Sequence, residues 1–467
     1  MRRTDCARLV LVAVLLLLSG SARADEREEI EALRQEVAKE REALAAERRE
    51  LAEQRRRVDD ALAELEREKS MRPAPGAATE GMPAVSATPE SGPRPYLDVY
   101  GFAQLDAIYD FERVDPDWKS TLRPSKIPVN CPGDAGCGNN GDAILSVRQS
   151  RLGVKAGYPT PIGEIKATFE FDLFGTGDDA GETTFHIRQA YGELGPLLAG
   201  QTWSVLMDPD VYPNVIDYWG PPGQINFRNP QLRYTPVRDE NWEFAVAIES
   251  PGSALDEGKI SQVDPSLDAQ SWNPSPDYTT HVRFLGDWGH VQGGAILRVL
   301  GFENPDTGTN RPDGTEIGWG INLSSGIDTF GDDKLLLQVV YGRGIASYMN
   351  DGGTDLAPDS DTNPNAEALP ILGWLAYYNR TWNERWTSSI GYSETRQDTT
   401  DGQLDTAFEL GQYASVNLLY HPVPEVLIGP EFLWGRRENR NDNSETDTRV
   451  QVSFKYDFDG RIFGSER

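Results

Sequence analysis

The chain has 467 residues, a formal net charge of −29, and 25% charged residues beside 45 Gly, 11 Trp and 17 Tyr. That charge excludes nucleic-acid binding through a basic surface, because phosphate contact needs clustered Lys and Arg. A mean hydropathy of −0.53 excludes a bundle of membrane helices but not a transmembrane barrel, in which only alternate residues of each strand face lipid.

Arg2 and Arg3 precede the apolar run Leu9 to Leu18, then Ser19, Gly20 and the triplet Ala22, Arg23 and Ala24. This reads as a secretory signal over residues 1–24, and its apolar run is too short to span a bilayer. In residues 25–70, Ile30, Val37, Leu44, Leu51, Val58 and Leu65 recur every seven positions in a Glu, Arg, Ala and Leu background. That spacing predicts a helical segment of coiled-coil type. The matching second row, Leu33, Glu40, Glu47, Gln54, Ala61 and Glu68, is mostly polar, so a solvated single helix laced with ion pairs competes. Residues 71–95 turn to Pro, Ala, Gly, Ser and Thr, the composition of a semi-extended tether.

From residue 96 to 467 the period becomes two. Ile165, Ala167, Phe169, Phe171 and Leu173 share one face of a strand, while Glu164, Lys166, Thr168, Glu170 and Asp172 share the other. Short connections are read at Pro159–Ile162, Gly195–Pro196, Pro236–Glu240, Gly286–Gly289, Asp328–Asp333, Thr381–Glu384 and His421–Pro424. Long polar ones alternate with them at about 112–142, 175–182, 206–230, 250–277, 302–314, 346–368, 398–405 and 439–446. Eight long and seven short connections predict an all-β transmembrane barrel of about sixteen antiparallel strands, preceded by a short N-terminal α-helical coiled-coil segment. The length asymmetry is that of outer-membrane barrels of Gram-negative bacteria, with periplasmic turns and extracellular loops, and it leaves the N-terminal segment in the periplasm. Tyr158, Trp242, Trp288, Trp382, Trp386, Tyr420 and Phe458 lie at or beside the short-turn ends, as an interfacial aromatic girdle requires. The closing strand, Arg449 to Phe458, sets Val450, Val452, Phe454, Tyr456 and Phe458 outward against Gln451, Ser453 and Lys455.

Sixteen strands enclose more space than their own side chains fill, so an aqueous channel is expected. The third long connection, with Asp208, Pro209, Asp210, Pro213, Asp217 and Trp219, suits an inward constriction, the rival being an ordinary surface loop. Pleat parity turns Arg151, Lys155, Lys166, Arg188, Arg233, Arg283 and Arg298 into the lumen, because a lipid-facing Arg near the midplane costs about 2–4 kcal/mol. Such a row favours small organic anions, unless those cations merely pair with Glu170, Asp172 and Glu193 across the wall. Cys131 and Cys137 flank a Pro, Gly and Asn-rich stretch and suggest a loop disulfide, a metal pair being the rival. No cofactor or metal motif is read.

The strings Ser150-Arg151-Leu152-Gly153, Glu170-Phe171-Asp172-Leu173-Phe174-Gly175, Gly200-Gln201-Thr202-Trp203-Ser204 and Asp208-Pro209-Asp210 followed by Asp217-Tyr218-Trp219-Gly220-Pro221 resemble the DcaP-like outer-membrane porins. The resemblance spans essentially the whole mature chain. It implies a homotrimeric porin with an N-terminal periplasmic coiled coil that passes dicarboxylates and related small acids, set in outer-membrane lipid and lipopolysaccharide. Two other readings compete. An outer-membrane hydrolase would need a nucleophile motif near His186, His281, His290 or His421, and none is recognisable. An anchor would use the helix and tether to tie the barrel to the cell wall.

Overall fold

A computed structural model describes residues 94–131, 137–138, 140–259, 270–303, 314–360 and 365–463. The expected signal, coiled coil and most of the tether lie outside the described residues. The chain divides into two units, 1–90 and 91–467, and the described residues all belong to the second.

Sixteen strands form one antiparallel sheet. They are β1 Tyr96–Asp110, β2 in two pieces (Asp142–Ser146 and Arg151–Thr160), β3 Gly163–Phe174, β4 Thr183–Leu194, β5 Leu197–Trp203, β6 Arg228–Arg238 and β7 Trp242–Glu249. Then come β8 in two pieces (Gln270–Trp272 and Asp277–Gly286), β9 Gly289–Glu303, β10 Gly314–Asp328, β11 Lys334–Arg343 and β12 Pro370–Asn383. The last four are β13 Trp386–Gln397, β14 in two pieces (Phe408–Asn417 and Leu419–Tyr420), β15 Val426–Asn439 and β16 Ser444–Phe463. The sheet closes because β16 pairs with β1 from Leu97↔Phe463 to Asp110↔Arg449, while β2 takes the other edge of β1. Closure leaves no lipid-exposed edge with bare N–H and C=O groups, which is what a membrane-spanning sheet requires.

Alternation decides the faces. On β16, Arg449, Gln451 and Ser453 are fully buried inside while Tyr456 and Phe458 are exposed outside. On β3, Glu170 and Asp172 are buried while Ile165 and Phe169 are exposed. Of the seven girdle aromatics, all but Tyr420 are exposed. Short turns, such as 161–162, 195–196 and 287–288, join the strands at one end. At the other end run L1 111–141, L2 175–182, L3 204–227, L4 250–269, L6 344–369, L7 398–407 and L8 440–443, with 304–313 connecting β9 to β10. L8 is shorter than expected because the alternation of β15 and β16 continues through polar residues into a tight hairpin from Glu438↔Ser444.

The lumen is not empty. L3 enters from β5 and follows the wall of β8 to β16. Gln292 and Asn322 donate to the carbonyls of Met207 and Leu206, Asn417 to that of Asn214, and Gln149 and Gln451 to that of Ile216. At Gly223 the loop lies so near the wall that a Cβ would fall 2.2 Å from the Glu394 carbonyl oxygen, so only glycine fits. Leu206, Met207 and Ile225 of L3 pack with Ile345, Tyr348 and Met349 of L6 on Ile296, Val340 and Ile371 of the wall. Leu122 and Ile127 of L1 pack similarly on Leu336, Leu375, Tyr377, Tyr413 and Leu433. A third cluster seats Leu356, Ala366 and Ala368 of L6 on Leu300 and Phe302. On the side of β9 to β15 the loops thus pack onto the wall, at roughly 1.5–3 kcal/mol for each fully buried Leu or Ile, and the open space of the lumen lies against the other strands.

Candidate functional site

A cavity of about 730 Å³ lies there against β1, β2, β4 to β6, β15 and β16. Its lining includes Phe102, Arg151, His186, Arg188, Trp203, Arg228 and Lys455 from the strands, Tyr212, Tyr218 and Trp219 from L3, and Arg123 from L1. Five lining side chains are basic (Arg123, Arg151, Arg188, Arg228 and Lys455), and among the described residues Asp217 is the one acidic member.

Each cation is held differently. Arg188 is buried, its Nε donating to Glu170 Oε1 at 3.0 Å and its Nη1 to Asp172 Oδ2 at 2.8 Å. A register shift between Glu170 and Phe171 turns both Arg188 and Gln189 toward the interior, outside simple alternation. Arg151 stands 3.8 Å from Glu170 and over the Phe102 ring. Lys455 lies over the same ring, 4.4 Å from the Phe102 centroid, and 2.8 Å from Asp457. Arg123 lies in the corner formed by the edge-to-face rings of Trp118 and Trp219, each centroid 4.1 Å away, and is paired with Asp351 of L6 at 2.8 Å. Arg228 faces the cavity over Trp203 at 4.5 Å and has no carboxylate partner among the described residues. Its charge is therefore the one least compensated by the wall.

The acids of L3 serve as anchors. Asp208 is buried and accepts from Arg283 Nη1 (3.1 Å), His290 Nε2 (2.8 Å) and Ser324 Oγ (2.6 Å). Burial pushes its carboxyl upward, but the His290 contact, with Ser324 and Arg283, outweighs this and holds the group below the usual carboxylate range. Asp217 accepts from Thr121 Oγ (2.8 Å), the Leu122 amide (3.1 Å) and the Gly220 amide (3.1 Å). Here burial wins and raises the carboxyl, despite Arg449 nearby. Tyr218 donates to Asp172 Oδ2 at 2.7 Å, and burial pushes its phenol up to about 12.

Of the residues singled out from sequence, Arg151, Arg188, Asp217 and Trp219 meet at the cavity. Lys155, over Tyr100, and Lys166, near Glu164, sit on the inner wall nearer the short turns. Arg233 bonds Gln231 and the Trp203 carbonyl rather than Glu193. Arg283 is tied to Asp208 and Asp210, the latter remaining largely exposed. Arg298 corrects the parity argument: it points inward but has no exposed surface, because L4 and L6 cover it and Asp277, Asp355 and the Gly252 and Gly344 carbonyls saturate it. Arg123, Arg228 and Tyr218 escape a sequence reading. Arg228 falls within the expected loop, whereas it opens β6 opposite Trp203. Cys131 and Cys137 are joined by a disulfide in L1, and among the described residues no group of three or more His, Cys, Asp or Glu is placed to hold a metal ion.

A closed sixteen-strand barrel with a third loop folded into its lumen defines the porin class of outer-membrane channel. The chain belongs to the DcaP outer membrane protein family, whose model matches residues 83–458. Its structure is similar to that of the outer membrane channel DcaP of Acinetobacter baumannii, with a TM-score of 0.67 at 22% identity, covering 78% of this chain and 98% of that one. An anion-selective porin from Comamonas acidovorans aligns with a TM-score of 0.49 at 11% identity, over 78% and 100% of the two chains. Salmonella typhi OmpF in complex with daunomycin gives 0.47 at 12%, over 78% and 97%. No curated protein matches the sequence.

Proposed function

We propose that this barrel is a water-filled diffusion channel for small solutes that favours small organic anions such as dicarboxylates. The observation that carries the reading is the cavity wall, lined by Arg123, Arg151, Arg188, Arg228 and Lys455 with one acid, Asp217, where four of the cations are paired with carboxylates set behind the lining and Arg228, among the described residues, is not. At physiological salt the Debye length is about 8 Å, so wall charges govern permeation while distant loop acids are screened. A passing carboxylate exchanges part of its hydration for forked N–H donors.

Two further readings follow from the resemblance to DcaP-like porins: that the channel works as a homotrimer in outer-membrane lipid and lipopolysaccharide, and that residues 25–70 form a periplasmic coiled coil after removal of 1–24. Chemical cross-linking of the purified protein tests the first.

The channel reading is tested by the reversal potential of the purified protein in a planar bilayer under a salt gradient, repeated with Arg151→Ala and Arg228→Ala combined. Anion selectivity that weakens in the double variant supports it. Cation selectivity of the wild type, or absence of channels, overturns it.

A further inference from the structure

We propose that His186 is a conditional selectivity residue, whose ring, protonated at acidic pH, adds a sixth cationic group to the cavity wall and strengthens anion preference. The proposal rests on the anion-channel reading above. His186 lines the cavity with its side chain 24% exposed. It stands in register opposite Asp172, its Nδ1 lying 3.1 Å from Asp172 Oδ1 and 3.4 Å from the Tyr218 hydroxyl. With Nδ1 engaged, Nε2 has no protein partner among the described residues and is free to take up a proton.

The surroundings decide whether that proton changes the field. The charged and titratable groups around the ring are Asp172 and Glu170 on β3, Arg188 on β4, Tyr218 on L3, Arg151 on β2 and Arg228 on β6. L2 contributes Thr176 to the lining and no charge. The two carboxylates, Glu170 and Asp172, are already balanced by two cations, Arg188 bonded to both and Arg151 3.8 Å from Glu170. A proton on His186, although its ring stays against Asp172, therefore leaves this cluster with one more positive charge than negative, on the same wall as Arg228. His281 and His290 instead hold the start of L3, through the Val205 carbonyl and Asp208, and do not line the cavity.

One unit charge a few ångströms from the ion path, in wet surroundings and ordinary salt, changes the anion-to-cation permeability ratio roughly two- to fourfold. The comparison is made at about pH 8 and about pH 5. The test is the reversal potential of the full protein at both pH values for the wild type, His186→Gln, His186→Lys and the periplasmic-turn control His421→Gln. Expected is an acid-side gain in the wild type and His421→Gln, a flat low ratio in His186→Gln and a flat high ratio in His186→Lys. A wild type that is anion-selective but flat across this range, or a gain that survives His186→Gln, overturns this proposal and leaves the channel reading standing. Cation selectivity at both pH values overturns the channel reading itself.

Discussion

Asp208→Ala tests the idea that L3 is a fixed constriction rather than a surface loop. Asp208 of L3 binds three wall residues, Arg283, His290 and Ser324, on β8, β9 and β10. Breaking a fully buried charged pair costs about 3–5 kcal/mol, but Arg283 keeps Asp210 and is partly hydrated. The cost falls to about 2–4 kcal/mol, most of it from leaving His290 buried without its acceptor. At about 1.4 kcal/mol per decade this raises the population of a detached L3 base by roughly 30- to 1,000-fold. In single-channel recordings, Asp208→Ala is expected to show larger, noisier openings than the wild type, with Asp208→Asn between them because it keeps a partial acceptor. Steady openings of wild-type size in Asp208→Ala would refute the clamp, since no other single change removes as many contacts at that point of the loop.

Arg298→Ala leaves Asp277 and Asp355 buried without their cation, so it should destabilise the folded barrel by about 3–5 kcal/mol in urea titrations while leaving the reversal potential of surviving channels unchanged. Arg123→Ala removes the link between Asp351 of L6 and the Trp118 and Trp219 rings, and should raise conductance with a shift in tryptophan fluorescence. For pH, the depressed Asp208 carboxyl contributes stability that is complete above the ordinary carboxylate range of about 4 and is lost only as pH falls through its lower folded value. The L3 clamp should therefore persist below about pH 4, and noise that begins well above that value would contradict the assignment. Replacing Cys131 and Cys137 by Ser opens a loop of sequence separation 6, and should leave anion selectivity intact because Arg123 and Thr121 are held from L3 and L6.

The barrel was legible because its chemistry repeats. On β3, Ile165 to Leu173 alternate with Glu164 to Asp172, and the alternation of seven short with eight long connections set the strand count. The stiff Asp208-Pro209-Asp210 element likewise marked L3 as distinct. Local pattern stops being informative where loops fold back. Parity turned Arg298 inward correctly, but nothing within β9 announces that Gly252 and Asp355 will cover it. Parity also supplies the face of Arg188 but not the register shift that brings Gln189 inward beside it. Arg228 was missed for the opposite reason: it follows the polar run of L3, and its place in β6 is fixed by pairing with Trp203 across the base of the loop, a long-range constraint with no local signature.

The net charge of −29 and the basic cavity follow from one arrangement. L1, L3 and L6 fill the half of the lumen facing β9 to β15 with apolar side chains, so only the remaining wall can set the field that a solute meets. On the filled side, buried acids such as Asp208 of L3, Glu249 of β7 and Asp355 of L6 are consumed in tethering loops to strands. On the open side the acids are fewer and are matched, Glu170 and Asp172 by Arg188 and Arg151 together, while Arg228 is left over. Acid concentrated in exposed loop positions such as Asp401 and Asp405 lowers the overall charge without entering the cavity. The charge of the cavity lining thus follows from which half of the lumen the loops leave open, and that is decided by the apolar residues of three loops rather than by the charged residues of the whole chain.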